Sequence, residues 1–162
     1  KQGVNMEKTN VMRLLDQKKI KYEGRDYHNS EAISGVEVAA ALGEDPATVF
    51  KTLVTVGASK KNYVFVVPVA KELDLKKAAK AVGEKSIAMI KSKELLPLTG
   101  YIHGGCSPVG MKKQFRTTVD ISAEDKPEIS VSAGKIGFQI TLSPEELKKA
   151  VPFEYKDITE DE

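Results

Sequence analysis

The sequence predicts a mixed α/β domain of α+β character, with helices packed on a mixed sheet. Three observations predict it. Short β-branched and aromatic runs, TVFKTLVTV and NYVFVVPV, alternate with capped helical segments, SGVEVAAALG and DLKKAAKAVG. Some strand-like runs are joined by tight turns, which make hairpins rather than the regular strand–helix alternation of a doubly wound sheet. A length of 162 residues with 41% hydrophobic composition suits one compact domain with a real core.

The elements follow in order. From residue 7 to 19, Val11, Leu14, Leu15 and Lys18 recur at helical spacing. KYEGRDYHN reads as a short strand and a turn. Ser34 and Glu37 form a capping box for a short helix that stops at Gly43. Two core strands then flank a hairpin loop, GASKK, at 57–61. Asp74 caps the next helix, whose predicted apolar face is Leu75, Ala78, Ala79 and Val82 and whose stop is Gly83. SIAMI is a short strand, and Ser92 starts a helix that Pro97 should limit. TTVDIS, EISVS and IGFQITL are strands, the last two joined by an SAGK turn. Ser143, Pro144 and Glu146 start a final helix as N-cap, first residue and completed box.

Composition excludes several classes. No apolar run approaches the roughly 18–20 residues of a membrane-spanning helix. The start carries no signal-peptide pattern, so a cytoplasmic location is expected and no membrane contact. KQGVN reads as an expression remnant before a natural start at Met6, giving a single domain over 6–155 with an acidic tail at 156–162. One cysteine rules out an internal disulfide framework. Two histidines and one cysteine are too few for a zinc cage, so neither metal nor cofactor is expected. The net charge is only +2, but seven lysines lie between Lys71 and Lys93, and Lys112, Lys113 and Arg116 form a second basic knot. This is either a face for a phosphate backbone or a solvated lysine-rich surface.

The stretch GYIHGGCSPVG, Gly100 to Gly110, concentrates the candidate chemistry. Cys106 as a nucleophile needs a base, and His103 and His28 are the histidines present. Ser107 is not in a G-x-S-x-G elbow, since Pro108 and Val109 follow it. The spacing of Gly104, Gly105 and Gly110 does not match a phosphate-binding P-loop. What remains is a glycine loop whose free N–H groups can aim at a carbonyl or phosphate oxygen, or a tight structural turn. Lys51 interrupts the apolar strand VFKTLV, on the same face as Val49 and Leu53. It faces either solvent or a polar cavity, where it would offer positive charge to a phosphate or oxyanion.

Taken together, VFKTLV (49–54), LDLKKAAKAVG (73–83), TGYIHGGCSPVGMKK (99–113) and VSAGKIG (131–137) resemble, in order and spacing, the YbaK-type proteins. These are free-standing relatives of the editing domain inserted in bacterial prolyl-tRNA synthetases. The resemblance runs from Met6 to about Val151. It implies a mixed, barrel-like sheet surrounded by helices and a trans-editing deacylase that removes cysteine from tRNA(Pro). It implies that Lys51 contacts the terminal adenosine region and that Gly104 and Gly105 hold the aminoacyl carbonyl. Tyr27, Ser107, Pro108, Gly110 and Gln139 would complete the substrate site. The implied partners are aminoacylated tRNA(Pro) and prolyl-tRNA synthetase, with the protein a monomer. Cys106 and His103 stand where close relatives commonly have hydrophobic residues, and Gln139 where some have an acidic one. Ala133 and Ile136 also depart from the family's SGGKRG. Three other readings stay open: a deacylase for another small amino acid, such as Ala-tRNA(Pro); a non-catalytic tRNA- or nucleotide-binding module; and a cysteine hydrolase using Cys106.

Overall fold

The computed structural model describes residues 7–32 and 34–161, so the expected remnant at 1–5 lies outside it. Helix α1 (Asn10–Gln17) is capped by Thr9, whose side chain accepts from Met12 N. It buries Val11, Met12 and Leu15, while Lys18 is its exposed C-cap and Lys19 turns the chain at φ 57. The helix is shorter than its apolar period suggests because this left-handed residue ends it. Strand β1 (Glu23–Asp26) follows, then α2 (Gly35–Ala41), where the Ser34/Glu37 capping box is present.

Strands β2 (Phe50–Gly57) and β3 (Asn62–Pro68) form the expected antiparallel hairpin. Helix α3 (Leu75–Val82) starts on Asp74, which accepts from both Lys76 N and Lys77 N, and stops on Gly83 at φ 77. Its buried face is Ala78, Ala79 and Val82; Leu75, expected inside, is the helix's first residue and is 42% exposed. Strand β4 (Ile87–Met89) pairs with β2. Helix α4 (Ser92–Thr99) runs through Pro97, contrary to expectation. A proline this near the end of a short helix removes few intrahelical bonds, and Gly100 at φ 86 makes the actual stop.

Strands β5 (Arg116–Asp120), β6 (Ile129–Ser132) and β7 (Phe138–Leu142) lead to α5 (Pro144–Ala150). Ser143 caps α5 through Glu146 N, but the Glu146 carboxylate accepts from Lys21 N at 2.9 Å instead of closing the box. Strand β8 (Phe153–Lys156) was not foreseen.

The strands make two sheets, not the one barrel-like sheet expected, and no closed barrel forms among the described residues. The larger sheet has the order β4-β2-β3-β5-β8, with β5 parallel to both β3 and β8. The smaller, β1-β7-β6, is antiparallel. An isolated parallel bridge, Val49 to Ser130, joins them. The sheet is thus mixed, as predicted. Central strand β3 explains the continuous apolar run in the sequence, since a strand covered on both faces needs no polar alternation. Val64 and Val66 pack with α1 and the smaller sheet; Phe65 and Val67 pack with α3 and Ile158.

The acidic tail packs onto this second core. Ile158 is buried; its N–H donates to Asp120 Oδ1 at 3.1 Å and its carbonyl accepts from Asp74 N. Lys77 Nζ meets Asp157, Asp161 and the Thr159 carbonyl, so Lys77 of the predicted basic face is spent on the tail. Among the described residues, no helix is long and apolar enough to cross a membrane.

Candidate active site

The seam between the sheets builds the site. Val49 and Ser130 pair in parallel, so two residues on, Lys51 and Ser132 come abreast. Ser132 pairs in turn with Gln139. Lys51, Ser132 and Gln139 therefore form a row from β2 through β6 to β7. They face a cleft of about 560 Å³. The first turn of α2, the segment from Met89 to Ser92 and part of the glycine loop also line it.

Lys51 is on the cleft and not on an open solvent face: its side chain is 30% exposed, with Nζ 3.8 Å from Glu72 Oε2. Glu72 is itself 76% exposed, so this is a weak rim contact. Lys51 and Lys91 line the cleft, and among the described lining residues there is no carboxylate. An anion entering meets positive charge in largely apolar surroundings, where the attraction exceeds that in water.

The glycine loop divides in two. His103, Gly104 and Cys106 line the cleft. Gly104 has φ 89, a conformation that favours glycine. Gly105 does not line the cleft: its N–H donates to Ile102 O at 2.9 Å, which commits it to a turn. A Cβ there would also meet Ile136 N at 3.1 Å, so the loop lies directly on the 133–137 turn. Ser107, Pro108 and Gly110 stay off the cleft as well. Ser107 is buried and its Oγ accepts from Val109 N. Gly110 has φ 78, and a Cβ there would meet Tyr101 Oη at 2.9 Å and Leu14 at 3.0 Å. The Tyr101 hydroxyl donates to Val109 O. This half of the loop is anchored against α1.

Burial pushes the Cys106 thiol up to about 12. It is therefore a neutral thiol at physiological pH and a poor nucleophile. His28 Nδ1 lies 2.7 Å from Asp26 Oδ1, and its ring stacks on Phe138 with centroids 5.5 Å apart.

Tyr27, Lys51, Gly104 and Gln139 are thus the predicted site residues that the structure brings together. Gln139 is only 3% exposed, and its Oε1 has no hydrogen-bond partner. Thr52 Oγ1 is in the same condition. Buried polar atoms are nearly always paired, so Thr52 Oγ1 on the cleft wall marks where a ligand group fits, and Gln139 Oε1 calls for a partner of its own. Sequence reasoning missed Thr52, Ser132 and the Phe138 ring. The available signal for Thr52 was its hydroxyl beside Lys51 in an apolar strand.

The aminoacyl-tRNA editing domain model matches residues 30–150. The chain belongs to that family. It is 46% identical over 154 residues, 94% of each chain, to EbsC of Enterococcus faecalis, a protein named for deacylation of Cys-tRNA(Pro) and Cys-tRNA(Cys). A crystal structure described as a trans-editing enzyme for prolyl tRNA synthetase superposes on this editing domain with a TM-score of 0.80 at 25% identity, covering 94% of each chain. A hypothetical protein at 22% identity shares the fold with a TM-score of 0.85, over 94% of this chain and 100% of its own.

Proposed function

We propose that this editing domain acts in trans as an aminoacyl-tRNA deacylase that clears cysteine from mischarged tRNA(Pro). The observation that carries the reading is a cleft with a lysine on its wall and, among the described residues, no activated cysteine or loop serine to serve as nucleophile. Cys106 is protonated, and Ser107 is buried with its Oγ engaged in the loop. An aminoacyl ester is already activated, so positioning and oxyanion stabilisation suffice for its hydrolysis. The 46% identical relative supplies the substrate class.

In this reading Lys51 holds the phosphate or ribose end of the terminal adenosine. Tyr27 borders the same end. Gly104 supplies the loop's backbone contact to the aminoacyl carbonyl, and Gly105 shapes the turn that presents it. Ser107, Pro108 and Gly110 anchor the loop. Gln139 reaches the aminoacyl group. The substrate's own sulfur attacks its carbonyl carbon, and the ester C–O bond breaks. The thiol proton passes to the departing ribose oxygen. Water then opens the cyclic thiolactone to free cysteine. Proline and alanine lack a thiol and cannot enter this path. The lysines of 71–93 not held by the tail contact the tRNA backbone, prolyl-tRNA synthetase contributes tRNA selectivity, and the protein works as a cytoplasmic monomer.

The test is a deacylation assay on cysteinyl-, alanyl-, seryl- and prolyl-tRNA(Pro), with cysteinyl-tRNA(Cys) alongside. Selective release of cysteine is expected. Equal release of alanine would remove the thiol from the mechanism. Binding of tRNA without any release would leave a non-catalytic module.

A further inference from the structure

Beside the cleft, on the face of the small sheet that carries Gln139, lies a polar cluster whose other members the proposed reaction does not use. Arg25 on β1 stands opposite Gln139 on β7 in the antiparallel register. Opposed residues share a face with their Cβ atoms about 5 Å apart, so the two side chains lie together. Arg25 Nη1 is 3.4 Å from Glu44 Oε2, and Nη2 is 3.4 Å from Glu23 Oε1. Glu44 Oε2 also accepts from Ser130 Oγ at 3.0 Å, and that hydroxyl is 2.7 Å from Thr141 Oγ1. The Glu44 side chain is only 8% exposed. A carboxylate buried this far is tolerable only with such partners.

Three polar atoms in this cluster are buried without a partner: Arg25 Nε, Glu44 Oε1 and Gln139 Oε1. One is a donor and two are acceptors. A single water matches that set, accepting from Arg25 Nε–H and donating one proton to each oxygen. Buried waters are held by two to four such partners. We propose that a water at this position fixes the Gln139 carboxamide with its oxygen toward Arg25 and Glu44 and its NH2 toward the cleft. Gln139 then presents a hydrogen-bond donor to the aminoacyl group, suited to the ester carbonyl oxygen as negative charge develops there. Arg25 and Glu44 are positioning residues that act through Gln139. This assignment rests on the deacylase reading for its substrate, but not for its geometry.

The deciding variant is Arg25→Lys. It keeps a cation against Glu44 and removes the Nε–H. In the free, 15N-labelled protein, the Gln139 side-chain NH2 signals are assigned by their loss in Gln139→Leu. They are expected to shift in Arg25→Lys; signals unchanged within their linewidth would overturn the proposal. On Cys-tRNA(Pro), Arg25→Lys should lower kcat/KM about fivefold and Gln139→Leu about tenfold or more, with the double variant no worse than Gln139→Leu alone. Additive losses in the double variant would also overturn it, because Arg25 would then act independently of Gln139. If Arg25→Lys does not fold by thermal melting, Arg25→Met/Glu44→Met replaces the buried pair with apolar side chains and must give the same NH2 shift. A wild-type protein that deacylates nothing defeats the deacylase reading, while the NMR comparison still decides the water network.

Discussion

The tail contact and the cleft treat polar groups differently. In the tail contact the anchoring groups are paired: Asp120 accepts from Ile158 N and Ser122 N, and Lys77 is held by Asp157, Asp161 and Thr159. In the cleft, Thr52 Oγ1 is buried and unpaired, and Lys51 has only a loose contact with exposed Glu72. Paired polar groups stabilise the fold; unpaired ones reserve their bonds for something else. The contrast teaches that the cleft gives up some stability for recognition, whereas the contacts that hold the tail do not.

The contrast can be broken experimentally. The largest effect is expected at Lys51. Lys51→Ala should lower kcat/KM for deacylation by about 100-fold or more while moving Tm by less than about 2 °C. Initial rates and thermal melting measure both, and a large loss of stability with activity retained would reverse the assignment. Asp120→Ala should do the opposite. Removing a buried carboxylate that accepts two backbone N–H bonds should cost about 2–3 kcal/mol in urea unfolding, with kcat of the folded enzyme unchanged.

Gly110→Ala tests the anchored half of the loop. A non-glycine residue at φ 78 facing Tyr101 should lose about 1–2 kcal/mol. Its effect on deacylation should be smaller than that of Lys51→Ala. The smallest effect is expected at Cys106. Cys106→Ala should keep kcat within about twofold. Alkylation of the wild-type thiol at pH 8 should be slow, since its ionisation is moved from the ordinary 9.0 to about 12. The sign follows from that direction. The buried neutral thiol favours the folded state below the ordinary range, and that contribution is lost as pH rises from about 9 toward about 12.

Much of the fold was legible because its signals are local. Asp74 and Gly83 bound α3 as their chemistry requires, and the 57–61 turn closes the hairpin as predicted. Lys51 stood out as a cation in an apolar strand, and the glycine loop as a site candidate. What escaped reading depends on distant partners. Strand β8 is short, follows Pro152 and carries the charged Glu154 and Lys156, and only the parallel edge of β5 makes it a strand. Ile158 looked like a lone apolar residue in an acidic tail until Asp120, 38 positions earlier, supplied its acceptor. Glu146 was expected to close its own box, but Lys21 N, 125 positions away, takes its carboxylate. The glycine loop looked uniform, yet its two halves differ because α1 packs under only one of them. The Arg25–Glu44 pair joins residues with no sequence pattern in common.

The strand order also bears on synthesis. Strand β3 meets β2 at once through a tight hairpin, but its other edge waits for β5, which begins at Arg116. While a ribosome makes the intervening residues, an emerging chain carries the run from Tyr63 to Val67 with one row of backbone groups unpaired. That interval is when the protein is most exposed to aggregation and most open to chaperones.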